Sequence, residues 1–250
     1  DIQMGIMDDV HRFCEAHGLR YSLSSGTLIG AVRHQGYIPW DDDIDIYMMR
    51  SDYERFLMTY QNQQGHYRVL DPKKESHYYY TFAKVVDTRT KMVEKETEGY
   101  EIGVYIDVFP VDYLTDDMKK RERIFRLKKL LYKIRRSKIS QSNPLKSRLA
   151  YWCYRHLPVT VGMLDMMIEY LIVKRKPTGT VCHMTEAGPL TPKGCFPAAD
   201  MKKMMDMKFE NPVYKVMIGY ADYLYRTYGD YMKLQPADQR TTDQVDANRL

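Results

Sequence analysis

The chain has 250 residues, 44% of them hydrophobic and 28% charged, with a net charge of +5. This composition suits a folded chain with a sizeable core and excludes a disordered or low-complexity one. No stretch approaches the roughly 18 to 20 apolar residues of a membrane-spanning helix, which excludes a protein built on such helices. The cysteines, Cys14, Cys153, Cys182 and Cys195, form no CxxC pair and predict buried, reduced thiols in a cytoplasmic protein. Cys182, His183 and Cys195 could meet at a zinc ion, but the fourth ligand of a structural site is missing. No signal-peptide pattern is read at the N-terminus, which opens at Asp1 without a Met.

In chain order, Ile2, Ile6, Val10, Phe13 and Cys14 repeat at helical spacing and Gly18 follows as a C-terminal cap, predicting a helix over residues 1–17. A short strand is expected around Arg20 to Ser24, then a turn at Ser24-Ser25-Gly26 and a short helix over Thr27 to Val32. Asp43 to Met48 alternates acid and apolar residues, as a strand does. Ser51 and Glu54 have capping-box spacing, with a helix running to about Asn62. Strands are expected over Tyr78 to Val86, Met92 to Glu94 and Val104 to Phe109; in the last, Val104, Ile106 and Val108 share one face and Tyr105, Asp107 and Phe109 the other.

From about Asp116 the pattern becomes helical. Ile124, Leu127, Leu131 and Ile134 form an apolar stripe on a basic helix, and a second helical stretch runs from Pro144 to about Lys176, broken at Pro158. Thr178 to Pro197 reads as mostly loop, a last helix spans Val213 to Tyr228 and stops at Gly229, and the tail from Gln239 onward reads as loose. The expected organisation is one α+β domain: a core over 1–115, a basic helical insertion over 116–177, and a C-terminal loop and helix over 178–250 that pack on the core.

Residues i and i+2 of a strand point the same way, so Asp43 and Asp45 present two carboxylates together while Ile44 and Ile46 enter the core. That is a metal-binding geometry. If the strand carrying Asp107 pairs nearby, at about 4.8 Å, a third carboxylate joins them and the set can hold one or two Mg²⁺ ions. Three successive Asp more often mark a solvated turn, but the alternation with Ile44 and Ile46 reverses that preference; Asp42, pointing the other way, is read as structural. A calcium loop fails because Ile46 stands where an EF-hand needs Gly and Asp52 where it needs Glu. Gly26 and Thr27 sit at a strand-to-helix turn whose free N–H groups attract phosphate, and Arg33 and His34 are placed to clamp the same phosphates. This is neither a Walker loop nor a dinucleotide fingerprint.

A small-residue turn, a D-x-D strand and a later single-Asp strand resemble the nucleotidyltransferase fold shared with polymerase beta: a mixed sheet with flanking helices. The segments "YSLSSGTLIGAVRHQGYIPWDDDIDI", "RSDYERFL", "FAKVVDTRT", "GVYIDVFPVDYL" and "YLYRTYGDYMKLQPADQR" resemble successive signatures of the LicD family, from about Cys14 to Arg240 with gaps through the helical middle. The resemblance implies a metal-dependent transferase that moves a phospho-alcohol from a cytidine diphosphate donor to a sugar hydroxyl. Phosphocholine from CDP-choline is the first cargo it implies, with ribitol, glycerol or ethanolamine phosphate as alternatives and a cell-surface or lipid-linked glycan, such as lipopolysaccharide or teichoic acid, as acceptor. On this chain it implies Asp43, Asp45 and Asp107 as ligands of Mg²⁺ (or Mn²⁺), Asp41 in support, Gly26, Thr27, Arg33 and His34 at the donor diphosphate, Lys84 at the donor, and Asp107 as acceptor of the attacking hydroxyl's proton. Ser25 departs from the family, which commonly has a second Gly there.

Choline's quaternary ammonium needs aromatic faces, and Tyr78, Tyr79 and Tyr80 precede Lys84, although strand tyrosines more often fill half-buried positions. The block from Lys119 to Lys138 is opposed only by Glu122; it reads as a solvated face or as a peripheral contact with anionic lipid at the inner face of the membrane, and its lack of aromatic interleaving argues against nucleic acid. A nucleotidyltransferase acting on a small molecule, protein or RNA would share the D-x-D and Gly-Thr elements. A non-catalytic glycan- or lipid-binding module is disfavoured by the intact Asp43, Asp45 and Asp107.

Overall fold

A computed structural model of the chain describes residues 2–41, 43–60, 65–75, 78–93, 101–140, 147–173, 176–234, 236, 240 and 247–249. The first helix, α1 (Ile2–His17), buries Ile6, Met7, Val10 and Cys14 on one face, and Gly18 ends it in a left-handed conformation (φ +61°) that costs glycine little. Then come β1 (Ser22–Leu23), α2 (Ser25–Arg33) and β2 (Asp45–Met49), so Asp43 lies just ahead of its strand. α3 (Arg50–Thr59) has Met49 at its N-cap position and no side-chain cap. The expected Ser51–Glu54 capping box is therefore not formed: Arg50 is already helical, which places Ser51 inside the first turn. The helix ends before Tyr60, and Asn62 falls outside the described residues.

Five strands complete this half: β3 (Tyr67–Leu70), β4 (Ala83–Asp87), β5 (Thr90–Val93), β6 (Glu101–Ile102) and β7 (Tyr105–Leu114). Tyr78 to Phe82, expected in a strand, precede β4, and the rings of Tyr78, Tyr79, Tyr80 and Phe82 pack on one another instead. Glu94 lies outside the described residues.

The main sheet runs β1-β2-β7-β4-β3. β2 and β7 are parallel with Asp45 opposite Asp107, and β4 is antiparallel to β7 with Lys84 opposite Asp107. Ile46, Met48, Val85, Ile106 and Val108 are fully buried, and alternation sends Asp45, Lys84 and Asp107 to the other face. α1 and α3 pack across these strands. β7 is shared along its length: β4 pairs with Tyr105 to Val108, and β8 (Thr180–His183) with Val111 to Leu114. β9 (Phe196–Pro197) pairs antiparallel with β8. The segment expected to be mostly loop thus supplies two strands, too short for periodicity to reveal but held by fully buried Val181 and Cys182.

The insertion is α4 (Met118–Ile139), α5 (Arg148–His156) and α6 (Val161–Ile172), begun by Asp117, Ser147 and Thr160, whose side chains accept from the amides of Lys120, Ala150 and Met163. Phe125, Leu131, Ile134, Leu164, Ile168 and Ile172 form a second apolar cluster that reaches the sheet through Leu114, Cys182, Met184 and Cys195. The expected stripe on α4 needs correction: Leu127 is 42% exposed, while Arg121, Lys128 and Arg135 turn inward. Their charged ends are satisfied there. Arg121 donates to Thr115 O and Thr180 Oγ1, Lys128 to Pro189 O, and Arg135 to Asp165 and Tyr79 O. Residues 141–146 and 174–175 are outside the described set.

The remaining elements are β10 (Met204–Lys208) and β11 (Val213–Met217), an antiparallel pair, then α7 (Tyr220–Tyr228) and β12 (Ala247–Arg249). The helix expected from Val213 begins only at Tyr220, because Tyr214 and Val216 alternate into the core as strand residues. Gly229 (φ +72°) stops it as expected. In the tail, Gln239 is not among the described residues, and Ala247 to Arg249, expected to be loose, pair with β5.

Candidate active site

Asp43, Asp45 and Asp107 converge, each with a carboxylate oxygen within 4.8 Å of the others. Backbone hydrogen bonds fix them. Ser24 N–H donates to Asp45 O (2.9 Å), Asp107 N–H to Ile44 O (2.8 Å), and Asp45 N–H to Thr27 Oγ1 (2.9 Å). The turn into α2 is thereby tied to the start of β2, and β2 to the start of β7, which brings residues 62 apart in sequence to one point.

The electrostatics of this point are unfavourable by themselves. Burial, reinforced by the charges of Asp43, Asp107 and Asp41, pushes the Asp45 carboxyl well above the usual carboxylate range, while a hydrogen bond from Ser25 opposes the shift. Such a set of oxygens suits a hard divalent cation, whose charge would relieve the repulsion. Among the described residues, no other group of His, Cys, Asp or Glu is placed to do so. The zinc reading of Cys182, His183 and Cys195 fails on that ground. His183 Nε2 is bonded to Thr185 Oγ1 and its ring packs on Tyr47 and Phe109, and Cys182 and Cys195 are free buried thiols. Cys14 is buried as expected, but Cys153 is exposed.

The other candidate residues sit around this point with different surroundings from those the sequence suggests. Lys84 is 1% exposed; its Nζ lies 2.7 Å from Asp107 Oδ1 and 3.4 and 4.3 Å from the ring centres of Tyr105 and Tyr80. It lies against the third carboxylate; the sequence suggests a donor contact for it. Of the tyrosines read as faces for a substrate cation, Tyr80 already receives the chain's own ammonium. Thr27 is buried, and its hydroxyl is bonded to Asp45 N–H and Asp43 O, which fixes the turn. Asp41 occupies the space over Gly26: a Cβ there would clash with Asp41 Oδ2, so the glycine leaves room for that carboxylate.

Arg33 and His34 do not act as a free cationic pair. Arg33 Nη1 donates to the carbonyls of Tyr231 (2.7 Å) and Lys233 (3.2 Å), and its Nε to His34 Nδ1 (3.3 Å). Burial and the neighbouring Arg33 hold His34 below its ordinary value and so disfavour its charged form. Asp42 lies outside the described residues. Ser25 is the residue the sequence underrates. It adopts φ +49°, uncommon outside glycine, and its side chain bonds Asp45, Tyr47 and Tyr228; the missing family glycine at this position is the signal that marks it.

Comparison with known proteins gives this arrangement a context. Residues 18–148 match the family described as LicD/FKTN/FKRP, nucleotidyltransferase domain. The chain is similar to the lipopolysaccharide cholinephosphotransferase LicD of Haemophilus influenzae, 30% identical over 95% of this chain and 91% of that protein. A shorter stretch, 27% of this chain, is 44% identical to an uncharacterised Rickettsia typhi protein over 22% of its length. Another, of 32 residues, is 56% identical to the human ribitol 5-phosphate transferase FKRP and covers 13% of this chain and 6% of that protein. The first match is nearly end to end and the matched domain spans the turn, β2 and β7 that build the acidic point, so the chain belongs to the LicD family of transferases.

Proposed function

We propose that this chain transfers phosphocholine from CDP-choline to a hydroxyl of a glycan or lipid-linked glycan precursor and releases CMP, using a metal bound on a nucleotidyltransferase-like core. The carrying observation is the convergence of Asp43, Asp45 and Asp107 at the starts of two parallel strands, beside a turn that opens a helix. Asp43, Asp45 and Asp107 would hold Mg²⁺ or Mn²⁺, which supplies charge neutralisation at phosphate oxygens during phosphoryl transfer. The residues of the chain do the rest. Lys84 and Ser25 orient Asp107 and Asp45, Thr27 locks the turn, and α2 directs its N-terminus toward the acidic point.

The acceptor hydroxyl attacks the phosphorus bearing the alcohol, the bond to the CMP oxygen breaks, and the hydroxyl proton passes to a carboxylate. Lys84, 2.7 Å from Asp107, opposes protonation there. Asp41, half-buried and outside the three proposed ligands, is therefore the proposed proton acceptor in place of Asp107. For choline itself, Trp40 next to Asp41 is the proposed aromatic face, and the cation would take the place of the Arg240 guanidinium, which lies 4.8 Å from its ring centre. The likeness to FKRP favours ribitol phosphate as the second cargo.

The test is CMP release from a panel of CDP-choline, CDP-ribitol, CDP-glycerol and CDP-ethanolamine, with Mg²⁺ and a glycan acceptor. CDP-choline is expected to turn over fastest. Preference for another CDP-alcohol would reassign the cargo, and pyrophosphate release from a nucleoside triphosphate with no CMP from any donor would replace the reaction.

A further inference from the structure

Away from the acidic point, α5 and α6 turn apolar side chains to solvent. On α6, Met163, Met166, Met167 and Tyr170 recur at i, i+3, i+4 and i+7, one helical face, and are 44, 66, 48 and 87% exposed. The opposite face, Leu164, Ile168 and Ile172, is buried, so the helix is apolar on both sides. On α5, Leu149 and Trp152 lie 72 and 60% exposed. Isolated exposed apolar residues need no explanation; a face of four on one helix, with two more on the preceding one, does.

α4 packs against both helices, and its charge is sorted by face. Arg121, Lys128 and Arg135 are consumed inside, as described above. Arg123, Arg126, Lys129, Lys133 and Arg136 face outward, and Glu122 is the only acid on the helix. Large exposed apolar side chains on α5 and α6, including a Trp and a Tyr, together with a row of exposed Lys and Arg on the α4 they pack against, match a water–bilayer interface: aromatic and aliphatic groups enter the boundary while cations meet phosphate headgroups. No helix among the described residues is long and apolar enough to cross a membrane. A second copy of the chain fits less well, because a two-fold contact through this face would bring two rows of like charge together.

We propose that the outer faces of α4, α5 and α6 dock on the surface of a bilayer that carries anionic lipid. This goes beyond the transferase reading and does not rest on it, since binding is read without turnover. The test is flotation of the full chain with vesicles of phosphatidylcholine alone and of phosphatidylcholine mixed with phosphatidylglycerol. The chain is expected to float with the anionic vesicles and to be released by high salt. Arg126→Gln/Lys133→Gln should weaken binding on the order of thirty-fold, from the loss of two charges near the surface. Met166→Ser/Tyr170→Ser should weaken it about ten-fold at unchanged charge. Both pairs are exposed, so circular dichroism and melting temperature should match the parent. Absence of flotation, equal flotation with neutral vesicles, or a solution dimer dissolved by Met166→Ser/Tyr170→Ser in a chain that ignores vesicles would overturn the proposal.

Discussion

Lys84 shows how one buried side chain can organise several others. Its ammonium sits among Tyr105, Tyr80 and Asp107, with almost no solvent to share the charge. Breaking a buried pair by removing one partner leaves the other charge uncompensated, at a cost of about 3 to 5 kcal/mol. Lys84→Met is therefore expected to lower unfolding stability by that amount in denaturant titration and, by freeing Asp107, to slow CMP release about 10- to 100-fold. A donor-binding lysine would instead raise KM and leave stability alone. Ser25 gives a second test at this scale. Ser25→Ala and Ser25→Gly both delete the hydroxyl that bonds Asp45, but only Gly relieves the left-handed backbone at φ +49°. The Gly variant should be the more stable of the two by about 1 kcal/mol in chemical denaturation.

Elements carry charge inward as well as outward. On α4, an inward lysine is tolerated because Lys128 Nζ donates to Pro189 O at 3.0 Å, yet burial pushes its ammonium down to about 8 from an ordinary 10.5. Below pH 8 both folded and unfolded chains are protonated there, and the folded one bears the full burial penalty. Between about 8 and 10.5 the unfolded chain holds the extra proton, so this group makes stability rise with pH across that window. Thermal melts of wild type and Lys128→Met from pH 7 to 10 should show the wild type gaining on the variant above pH 8; parallel curves would mean that the lysine is solvated. The basic run was legible in the sequence, but its sorting was not: helical spacing identifies which residues share a face, whereas which face turns to the core depends on acceptors such as Pro189 O and Tyr79 O, far away in the chain.

For the whole molecule, a cation held at the acidic point, as proposed, would couple its binding to folding. A cation bound to the folded chain at a hundred times its Kd adds about 2.7 kcal/mol, which for a chain of this size raises the melting temperature by about 5 to 10 °C. Mg²⁺ should produce that shift in the wild type. Asp45→Asn should abolish both the shift and CMP release, and without metal should melt above the wild type, because the raised Asp45 carboxyl means that its charge opposes folding at neutral pH. The sequence by itself determined the ends of α1 and α7, through Gly18 and Gly229, and the strand alternation that put Asp45 and Asp107 on acid-bearing faces. It also carried the family, because the turn and D-x-D blocks are contiguous in the chain. Only the tertiary structure decided what those residues touch. The parallel pairing of β2 with β7, the antiparallel placing of Lys84 against Asp107, the packing of Asp41 over Gly26 and the capture of Arg33 by the carbonyls of Tyr231 and Lys233 are contacts between distant segments. Periodicity reports the direction of a side chain along its own element, and the identity of its partner is set by sheet order and register, which no local pattern contains.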